Sequence, residues 1–193
     1  MMDEMFTFKR NALLANLCRE WNTKWTACQD DKEKLMRLAL MQQSAPYIAD
    51  FFYRGVGLSK EYVKRQFADY IDGHTFYDCD DVSGYTYGMY VDAQHPIEIK
   101  HDIVQFLWCD NTRVTLPQLR STKMYVSNKS ELHIECNGYN NVIVMLFDES
   151  KVVFDKLDNT CRVNVYRYDE HAVVEYDEST TDKMNIMDKE LRL

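Results

Sequence analysis

Glycine and proline are scarce in this chain of 193 residues, which contains six glycines and three prolines. Long disordered linkers are rich in such residues, so their scarcity argues against linkers of this kind. None of the glycines falls in a G-x-G-x-x-G or G-x-x-x-x-G-K-[ST] arrangement, which excludes nucleotide binding through either type of phosphate loop. The sequence also lacks the G-x-S-x-G elbow and the H-E-x-x-H zinc motif. We therefore predict no cofactor.

Long hydrophobic segments are absent as well. The longest apolar runs are short, such as Val142–Phe147, whereas a helix that spans a bilayer needs roughly 18–20 apolar residues. The N-terminus is acidic and has no hydrophobic core of a signal peptide. These features predict no membrane partner and a cytoplasmic location.

The six cysteines have no C-x-x-C spacing, which argues against a structural zinc site. Without an export signal, we expect reduced thiols, most of them buried as small apolar groups. A nucleophile–base pair of Cys109 with His95 or His101 has no local support in the sequence. The sequence therefore favours a protein that is not an enzyme. The cysteines are Cys18, Cys28, Cys79, Cys109, Cys136 and Cys161.

The net charge of −8 is unevenly distributed. Residues 1–75 carry 11 basic and 10 acidic residues, whereas residues 76–193 carry 12 basic and 21 acidic residues. Because phosphate contacts need a basic surface, the second part is not expected to bind nucleic acid. An acidic surface does permit a partner with a basic surface.

The N-terminal part of the chain, over 1–75, predicts a small helical domain of four helices. Residues 8–28 form an amphipathic pattern whose apolar seam includes Trp21 and Trp25, and Asp30 or Asp31 is placed to cap the second helix. The second helix would present Leu35, Leu38, Ala39 and Met41. Ser44 and Pro46 predict the start of an aromatic-rich third helix that ends at Gly55 and Gly57.

The fourth predicted helix begins at Ser59 and ends at Gly73. Its apolar face is Tyr62, Val63, Phe67, Tyr70 and Ile71. Residues 45–72 also fit a helix-turn-helix unit, because Lys60, Lys64 and Arg65 lie on the polar side of the fourth helix. The region is almost neutral overall, and a solvated helix surface explains the three cations better.

An acidic segment follows the helices. Asp78, Asp80 and Asp81, with His74 nearby, resemble the start of a hard-cation loop. Such loops also need a later bidentate glutamate, and none is placed to serve here. The pattern favours an exposed acidic loop, and we predict no metal site.

The second part of the chain is organised by an internal repeat. Pairs of the form apolar–x–apolar begin at Leu132, Val142, Val152, Val163 and Val173, in steps of 10, 10, 11 and 10. Short turns of Ser, Asn, Asp and Gly type separate the pairs. The repeat predicts one short strand and one turn about every 10 residues.

Two architectures fit this period, namely an antiparallel sandwich and a parallel β-solenoid in which two strands form a coil of about 20 residues. The turns favour the solenoid, because small polar residues recur at equivalent positions that would stack in register. One such column is Ser127, Asn137, Asp148, Asp158 and Asp169, and the other is Ser130, Asn140, Ser150, Thr160 and His171.

The predicted fold class is therefore α+β, a small N-terminal helical domain followed by a short parallel β-solenoid, with an antiparallel β-sandwich as the alternative. The predicted domains are a helical domain at 1–75, a junction at 76–96, the solenoid at 97–177 and a polar C-terminal tail at 178–193. The helices would cap one end of the solenoid and the tail the other.

One resemblance rests on the segment 57–73, which reads from Gly57 through Tyr62 to Gly73, and on the Tyr125–Ser127 opening of the repeat. In these features the chain resembles uncharacterised proteins of Bacteroides-type bacteria, their phages and mobile elements, in which a helical head precedes a short β-solenoid. The resemblance implies an interaction protein associated with a phage or mobile element, with the virion as a second location. It carries over no catalytic residue.

The sequence thus predicts a non-enzymatic protein-interaction or structural module that binds a protein partner or self-associates. Tyrosine is favoured at interfaces, so the candidate surface contains Tyr166, Tyr168 and Tyr176 together with Asp148 and Asp169. One alternative is an acidic regulator or decoy that binds a basic protein. The other is a carbohydrate-binding solenoid, in which Asp148, Glu149 and Asp169 would share one side.

Overall fold

Successive strands alternate between two sheets whose strands pair in parallel. We describe the chain from a computed structural model over residues 4, 7, 10, 19–28, 30–42, 58–77 and 84–190. The helices in this part are α1 (Arg19–Ala27), α2 (Lys32–Gln42) and α3 (Lys60–Gln66), with 3-10 turns at Ala68–Tyr70 and Glu178–Lys183.

The strands fall into two sheets. Sheet A has the order β1-β2-β4-β6-β8-β10-β12, and sheet B has the order β11-β9-β7-β5-β3. Their bounds are β1 (Phe76–Tyr77), β2 (Thr86–Val91), β3 (Ile97–Glu98), β4 (Ile103–Leu107), β5 (Thr112–Leu116), β6 (Arg120–Ser127), β7 (Glu131–Cys136), β8 (Asn140–Leu146), β9 (Lys151–Leu157), β10 (Arg162–Arg167), β11 (Val173–Tyr176) and β12 (Met184–Asp188).

Each strand from β2 onward pairs in parallel with the strand two places later, so one strand of sheet A and the next strand of sheet B form a coil. Thr122 lies opposite Val142, and Val142 lies opposite Val163, so the second of these coils is one residue longer than the first. Among the described strands, β1 pairs antiparallel, against β2 at the N-terminal end of sheet A. The predicted parallel solenoid is therefore confirmed, and the antiparallel sandwich is wrong.

The apolar–x–apolar pairs fill the space between the sheets. Leu132 and Ile134 of sheet B pack in the same buried cluster as Val142 and Val144 of sheet A, together with the equivalent residues of the flanking coils. Alternation explains this, because residues i and i+2 of a strand face the same side. Full burial of each such side chain stabilises the fold by about 1.5–3 kcal/mol.

The fifth predicted pair begins one residue too early. Val174 lies opposite Val152, and Val173 lies opposite Lys151. The inward residues of β11 are therefore Val174 and Tyr176, which pack against the core, whereas Val173 points outward. The cause is the coil length, since the coil from β9 to β11 is one residue longer than the spacing of the repeat implies.

The turn columns are held together by side chains that accept hydrogen bonds from the coil before. The hydroxyl of Ser130 accepts from the N–H of Cys109 (3.1 Å), and that of Ser150 accepts from the N–H of Ser130 (3.1 Å). In the same way, Oδ1 of Asn140 accepts from the N–H of Arg120 (3.1 Å). The small polar residues thus occupy buried positions because they accept hydrogen bonds from backbone donors of the neighbouring coil.

Four of the five described turns from sheet A to sheet B share a left-handed residue. Asp92, Trp108, Asn128 and Asp148 occupy equivalent positions and have φ values of +54°, +53°, +58° and +47°. Asp and Asn tolerate this conformation better than other non-glycine residues, because their short polar side chains bond locally. This preference accounts for the recurrent Asx residues at the start of these turns.

The helices pack on the outer face of sheet A at its first coils. Trp25, Met36 and Leu40 share a buried cluster with Tyr87 and Leu107 of the sheet, among others. Charge reinforces the contact, since the Nζ atoms of Lys60 and Lys64 lie 3.4 and 2.6 Å from the carboxylate of Asp92. The hydrogen bond from Lys64 lowers the pKa of Asp92. Two of the three cations noted in the sequence therefore tie α3 to the solenoid.

The helical predictions need two corrections. Among the described side chains of α2, Met36 and Leu40 are buried, whereas Leu35 and Leu38 of the predicted apolar side are only partly buried. The helix α3 ends at Gln66 rather than near Gly73, and a 3-10 turn follows it. Both predicted N-caps are confirmed, because Asp31 accepts from the N–H of Lys34 and Ser59 accepts from that of Tyr62.

The solenoid extends beyond the predicted range of 97–177 at both ends. Strand β2, in the predicted junction 76–96, pairs in parallel with β4. Strand β12, in the predicted tail 178–193, pairs in parallel with β10. Both strands lie outside the predicted solenoid because neither belongs to the clear internal repeat.

Several predictions lie outside the described residues. They are the acidic cluster Asp78, Asp80 and Asp81, the third helix with Ser44, Pro46, Gly55 and Gly57, the first part (45–57) of the 45–72 helix-turn-helix unit, the cysteines Cys18 and Cys79, and the side chains of Trp21, Ala39 and Met41.

Candidate interaction surface

The two outer faces of the solenoid differ in chemistry. The outer face of sheet B is charged, and its residues form ion pairs across neighbouring strands. Lys151 Nζ lies 3.4 Å from Glu131 and 3.0 Å from Glu175, and His133 Nδ1 lies 3.1 Å from Asp155. Such exposed pairs contribute about 0–1 kcal/mol each, so this face is best described as a solvated surface.

The outer face of sheet A carries a row of large apolar side chains instead. Tyr125 lies opposite Met145, Met145 opposite Tyr166, and Tyr166 opposite Met187, on strands β6, β8, β10 and β12. Their neighbours along the strands, such as Val144 and Val165, belong to the inner core. Alternation therefore places the row on the outside.

A second row lies beside the first, just beyond the ends of β8 and β10. The rings of Phe147 and Tyr168 stack with centroids 4.9 Å apart and an interplanar angle of 9°. We call the six residues of the two rows the aromatic strip. They are Tyr125, Met145, Phe147, Tyr166, Tyr168 and Met187.

Exposure changes along the aromatic strip. Tyr125 and Phe147 are 1% and 0% exposed, whereas Met145, Tyr166, Tyr168 and Met187 are partly exposed. Burial raises the pKa of Tyr125 far above its usual range and also raises that of Tyr168. Both hydroxyls are therefore neutral at physiological pH. The accessible part of the strip is its C-terminal part, on strands β8, β10 and β12.

Charged and amide groups border the accessible part. The Nζ of Lys189 lies 5.5 Å from the ring centroid of Tyr166, a cation–π distance. Arg167 forms an ion pair with Asp188 at 2.7 Å. On the other side, the amide of Asn185 donates to Oδ1 of Asn164 at 3.2 Å. An apolar centre with a polar rim is the general anatomy of a protein interface.

The structure brings together only part of the predicted site. Tyr166 and Tyr168 both belong to the aromatic strip. Tyr176 does not, because it points inward at the C-terminal end of the core. Asp148 and Asp169 lie in neighbouring turns from sheet A to sheet B, but the turn with Asp169 is one residue longer, and of the two only Asp148 has a left-handed backbone.

Asp148 has a structural task in its turn. Its carboxylate accepts hydrogen bonds from the N–H groups of Asn128 and Lys129 and from the hydroxyl of Ser150. Burial raises the pKa of Asp148, while these hydrogen bonds act in the opposite direction with the smaller effect. Both oxygens are engaged, so this carboxylate is not free to act on a glycan. The neighbouring Glu149 pairs with Lys129 at 3.0 Å.

Four residues of the strip were missed in the sequence, namely Tyr125, Met145, Phe147 and Met187. A signal was present, because Tyr125, Met145, Tyr166 and Met187 follow one another at nearly constant intervals, each close to the length of one coil. The row is found when outward-facing residues that are one coil length apart are compared with one another, and not only the inward-facing residues.

The described cysteine thiols are buried. The thiol of Cys109 is buried, contacts the carbonyl oxygens of Tyr90 and Leu107, and has a pKa raised by burial to about 11. The described cysteines Cys28, Cys109, Cys136 and Cys161 are buried free thiols. A search of the described residues finds no group of three or more His, Cys, Asp or Glu side chains placed to hold a metal ion.

No protein-family model, curated protein or solved structure matches this chain. Within the described ranges, no helix is long and apolar enough to cross a membrane.

Proposed function

We propose that this chain is a non-enzymatic interaction module that binds a protein partner through the C-terminal part of the aromatic strip. The observation that carries the proposal is the contrast between the outer faces, aromatic and methionine-rich on sheet A and ion-paired on sheet B. Tyrosine and methionine are enriched in interface cores and glutamate and lysine are depleted there.

The position of the strip suits a rigid binding platform. Parallel strands fix the spacing between Met145, Tyr166 and Met187 at about 4.8 Å per coil. Little conformational entropy is lost when such pre-ordered side chains are buried by a partner, which favours affinity. The rim residue Lys189 would supply orientation and salt-dependent attraction.

The test compares two aspartate substitutions on opposite faces. Tyr166→Asp places a charge at the centre of the strip, and Val153→Asp places one at a partly exposed apolar position on the outer face of sheet B. A photo-crosslinking amino acid at position 166 or 153 identifies proteins that contact each face in the cells that make this chain. Affinity for a purified partner is then measured with both aspartate variants.

The proposal expects crosslinks from position 166 and at least a tenfold loss of affinity for Tyr166→Asp. At position 153 it expects no crosslinks, and it expects no loss of affinity for Val153→Asp. Equal effects at the two positions, or crosslinks from 153 alone, would refute it. Far-ultraviolet circular dichroism of each variant shows that the solenoid is retained.

The two alternative functions give different results in the same assays. An acidic regulator would bind a basic protein through charge, so binding would fall steeply with salt and would ignore Tyr166→Asp. A carbohydrate-binding solenoid would use tyrosine rings beside amides such as Asn164 and Asn185, and would bind on a glycan array. Association with a phage or mobile element remains part of the proposal, and the identity of the crosslinked partner tests it.

A further inference from the structure

The two sheets end at different heights at the C-terminal end of the solenoid. Sheet B ends with β11, which pairs with β9, and sheet A ends with β12, which pairs with β10 one coil further along the chain. In the described part of the chain, the outer edges of β11 and β12 pair with no further strand. The end therefore has a step, with an unfilled strand position beside β11.

Apolar side chains line this step. Val174 and Tyr176 of β11 and Met184 and Ile186 of β12 are only partly buried against the core. Their counterparts one coil earlier, such as Val163 and Val165, are 1% and 0% exposed. Unpaired backbone groups next to exposed core residues are the features that promote strand addition.

We propose that two copies of this chain associate through these steps, about a two-fold axis parallel to the strands. Such a rotation reverses the stacking direction and places sheet A of one copy in line with sheet B of the other. The β12 of the partner copy then fills the position beside β11, and its β11 fills the position beside β12. The step is thus complementary to itself, as an isologous interface requires.

The geometry of the coil fixes the register of this pairing. Consecutive strands of one coil run in opposite directions, so β11 and the β12 of the second copy pair antiparallel. Val173 and Met187 lie at one end of the coil, and Tyr176 and Met184 lie at the other, because short turns connect them. A rotation about an axis parallel to the strands does not move a residue along the strand direction. Val173 of one copy therefore lies opposite Met187 of the other, and Tyr176 lies opposite Met184.

This register matches the side chains. Val174 lies opposite Ile186 on the inside, where the two chains would share one apolar core. On the outside, Glu175 lies opposite Asn185, and Val173, which is 41% exposed, meets Met187. Just beyond the strands, Asp177 faces Lys183. Cross-strand pairs of this kind stabilise the pairing of two strands.

The competing contact between two β12 strands fits less well. Pairing centred on Ile186 would set Lys183 opposite Lys189 and the inward Met184 opposite Asp188. Like charges opposite one another destabilise a strand pair. The proposed dimer uses residues other than the aromatic strip, apart from the edge contact of Met187, so it does not depend on the proposed partner site.

Sedimentation velocity over a hundredfold range of concentration tests the association. The wild-type chain is expected to form a dimer and no larger species, because the two-fold axis closes the contact. Ile186→Lys should raise the dimer dissociation constant at least tenfold. The matched control is Ile143→Lys, which makes the same change on the outer face of sheet A and should leave the dimer intact.

Crosslinking tests the register. A mixture of Glu175→Cys and Asn185→Cys chains should form a disulfide-linked dimer under mild oxidation, well above the level of either variant alone or of the wild type. A monomer at every concentration, an equal effect of the two lysine variants, or crosslinking of Asn185→Cys mainly to itself would each overturn the proposal. Partner binding through Tyr166 is measured separately, so failure of one proposal is distinguishable from failure of the other.

Discussion

The carboxylate of Asp148 accepts a hydrogen bond from the backbone N–H of Asn128, one coil earlier in the solenoid. It also accepts from the N–H of Lys129 and from the hydroxyl of Ser150. One side chain therefore joins two successive turns and orients a member of the neighbouring polar column. The turns of this solenoid are thus stabilised by coil-to-coil contacts in the same way as its strands.

Replacing Asp148 should reveal the strength of this connection. Asp148→Ala is expected to lower the free energy of unfolding by about 1–3 kcal/mol, because donors in the turn lose their acceptor. Asp148→Asn keeps one acceptor oxygen and tolerates the left-handed backbone at this position, so its loss should be smaller. Urea unfolding followed by circular dichroism measures both. The exposed neighbour provides the control, as Glu149→Ala should change stability by less than about 0.5 kcal/mol.

The serine column gives a second prediction. Ser150→Ala removes one of the two acceptors of the Ser130 N–H, which also donates to the carbonyl oxygen of Ser127 at 3.3 Å, and should destabilise the chain by about 0.5–1.5 kcal/mol, the usual net contribution of one hydrogen bond. Ser121→Ala makes the same chemical change at an exposed position of β6 and should have almost no effect. If both variants unfold at the same urea concentration as the wild type, the column is not a stabilising feature.

The solenoid could be predicted from the sequence because each coil imposes the same packing requirements on equivalent positions. Stacked positions such as Ser130 and Ser150 face the same surroundings in every coil, so the same residue types recur. The inward pairs from Leu132 to Val165 could be read directly for this reason. The last pair was misread by one residue, because the turn between β10 and β11 is one residue longer than the turn between β8 and β9: Arg167 lies opposite Leu146, whereas Val173 lies opposite Lys151.

The candidate surface was less predictable than the fold. Tyr166 and Tyr176 look alike in the sequence, yet one points outward and the other lies against the core. The extra residue in the coil between β9 and β11 causes this difference, and no local pattern marks it. The packing of the helices on sheet A was also not predicted, since it depends on contacts such as Lys64 with Asp92 that are far apart in sequence.

A close contact at the first coil gives a third prediction. A Cβ atom at Gly88 would lie 2.5 Å from Nδ1 of His101 and 2.7 Å from its Cγ. Gly88 is opposite Val104 in the sheet, so the imidazole occupies the space that a side chain would need. Gly88→Ala should therefore destabilise the chain by about 1–3 kcal/mol through overpacking.

The double variant Gly88→Ala, His101→Ala is the control for this contact. Because the second change removes the clashing ring, its effect should be clearly smaller than the sum of the two single effects. Thermal unfolding and urea unfolding of the wild type, the two single variants and the double variant complete a double-mutant cycle. Additive effects would show that the ring and the glycine do not share this space.

The same histidine predicts how stability depends on pH. His101 is 1% exposed, its Nε2 lies 3.0 Å from the hydroxyl of Thr75, and its Nδ1 is buried without a partner. Burial lowers the pKa of His101, and this effect exceeds the opposing influences of the His74 backbone and of Asp102. A protonated ring would bring an unpaired N–H and a charge into the core, which is unfavourable.

The sign of the effect follows from proton linkage. Near and below the unfolded-state pKa of about 6.5, the unfolded chain binds a proton that the folded chain excludes, so stability falls as the pH falls. Burial raises the pKa of Asp148, which makes the opposite contribution at lower pH. Urea unfolding at a series of pH values from about 8 to 5 should therefore show a loss for the wild type that is reduced in His101→Gln. A variant with the same pH dependence as the wild type would assign the loss to other groups and would contradict a neutral His101 in the folded protein.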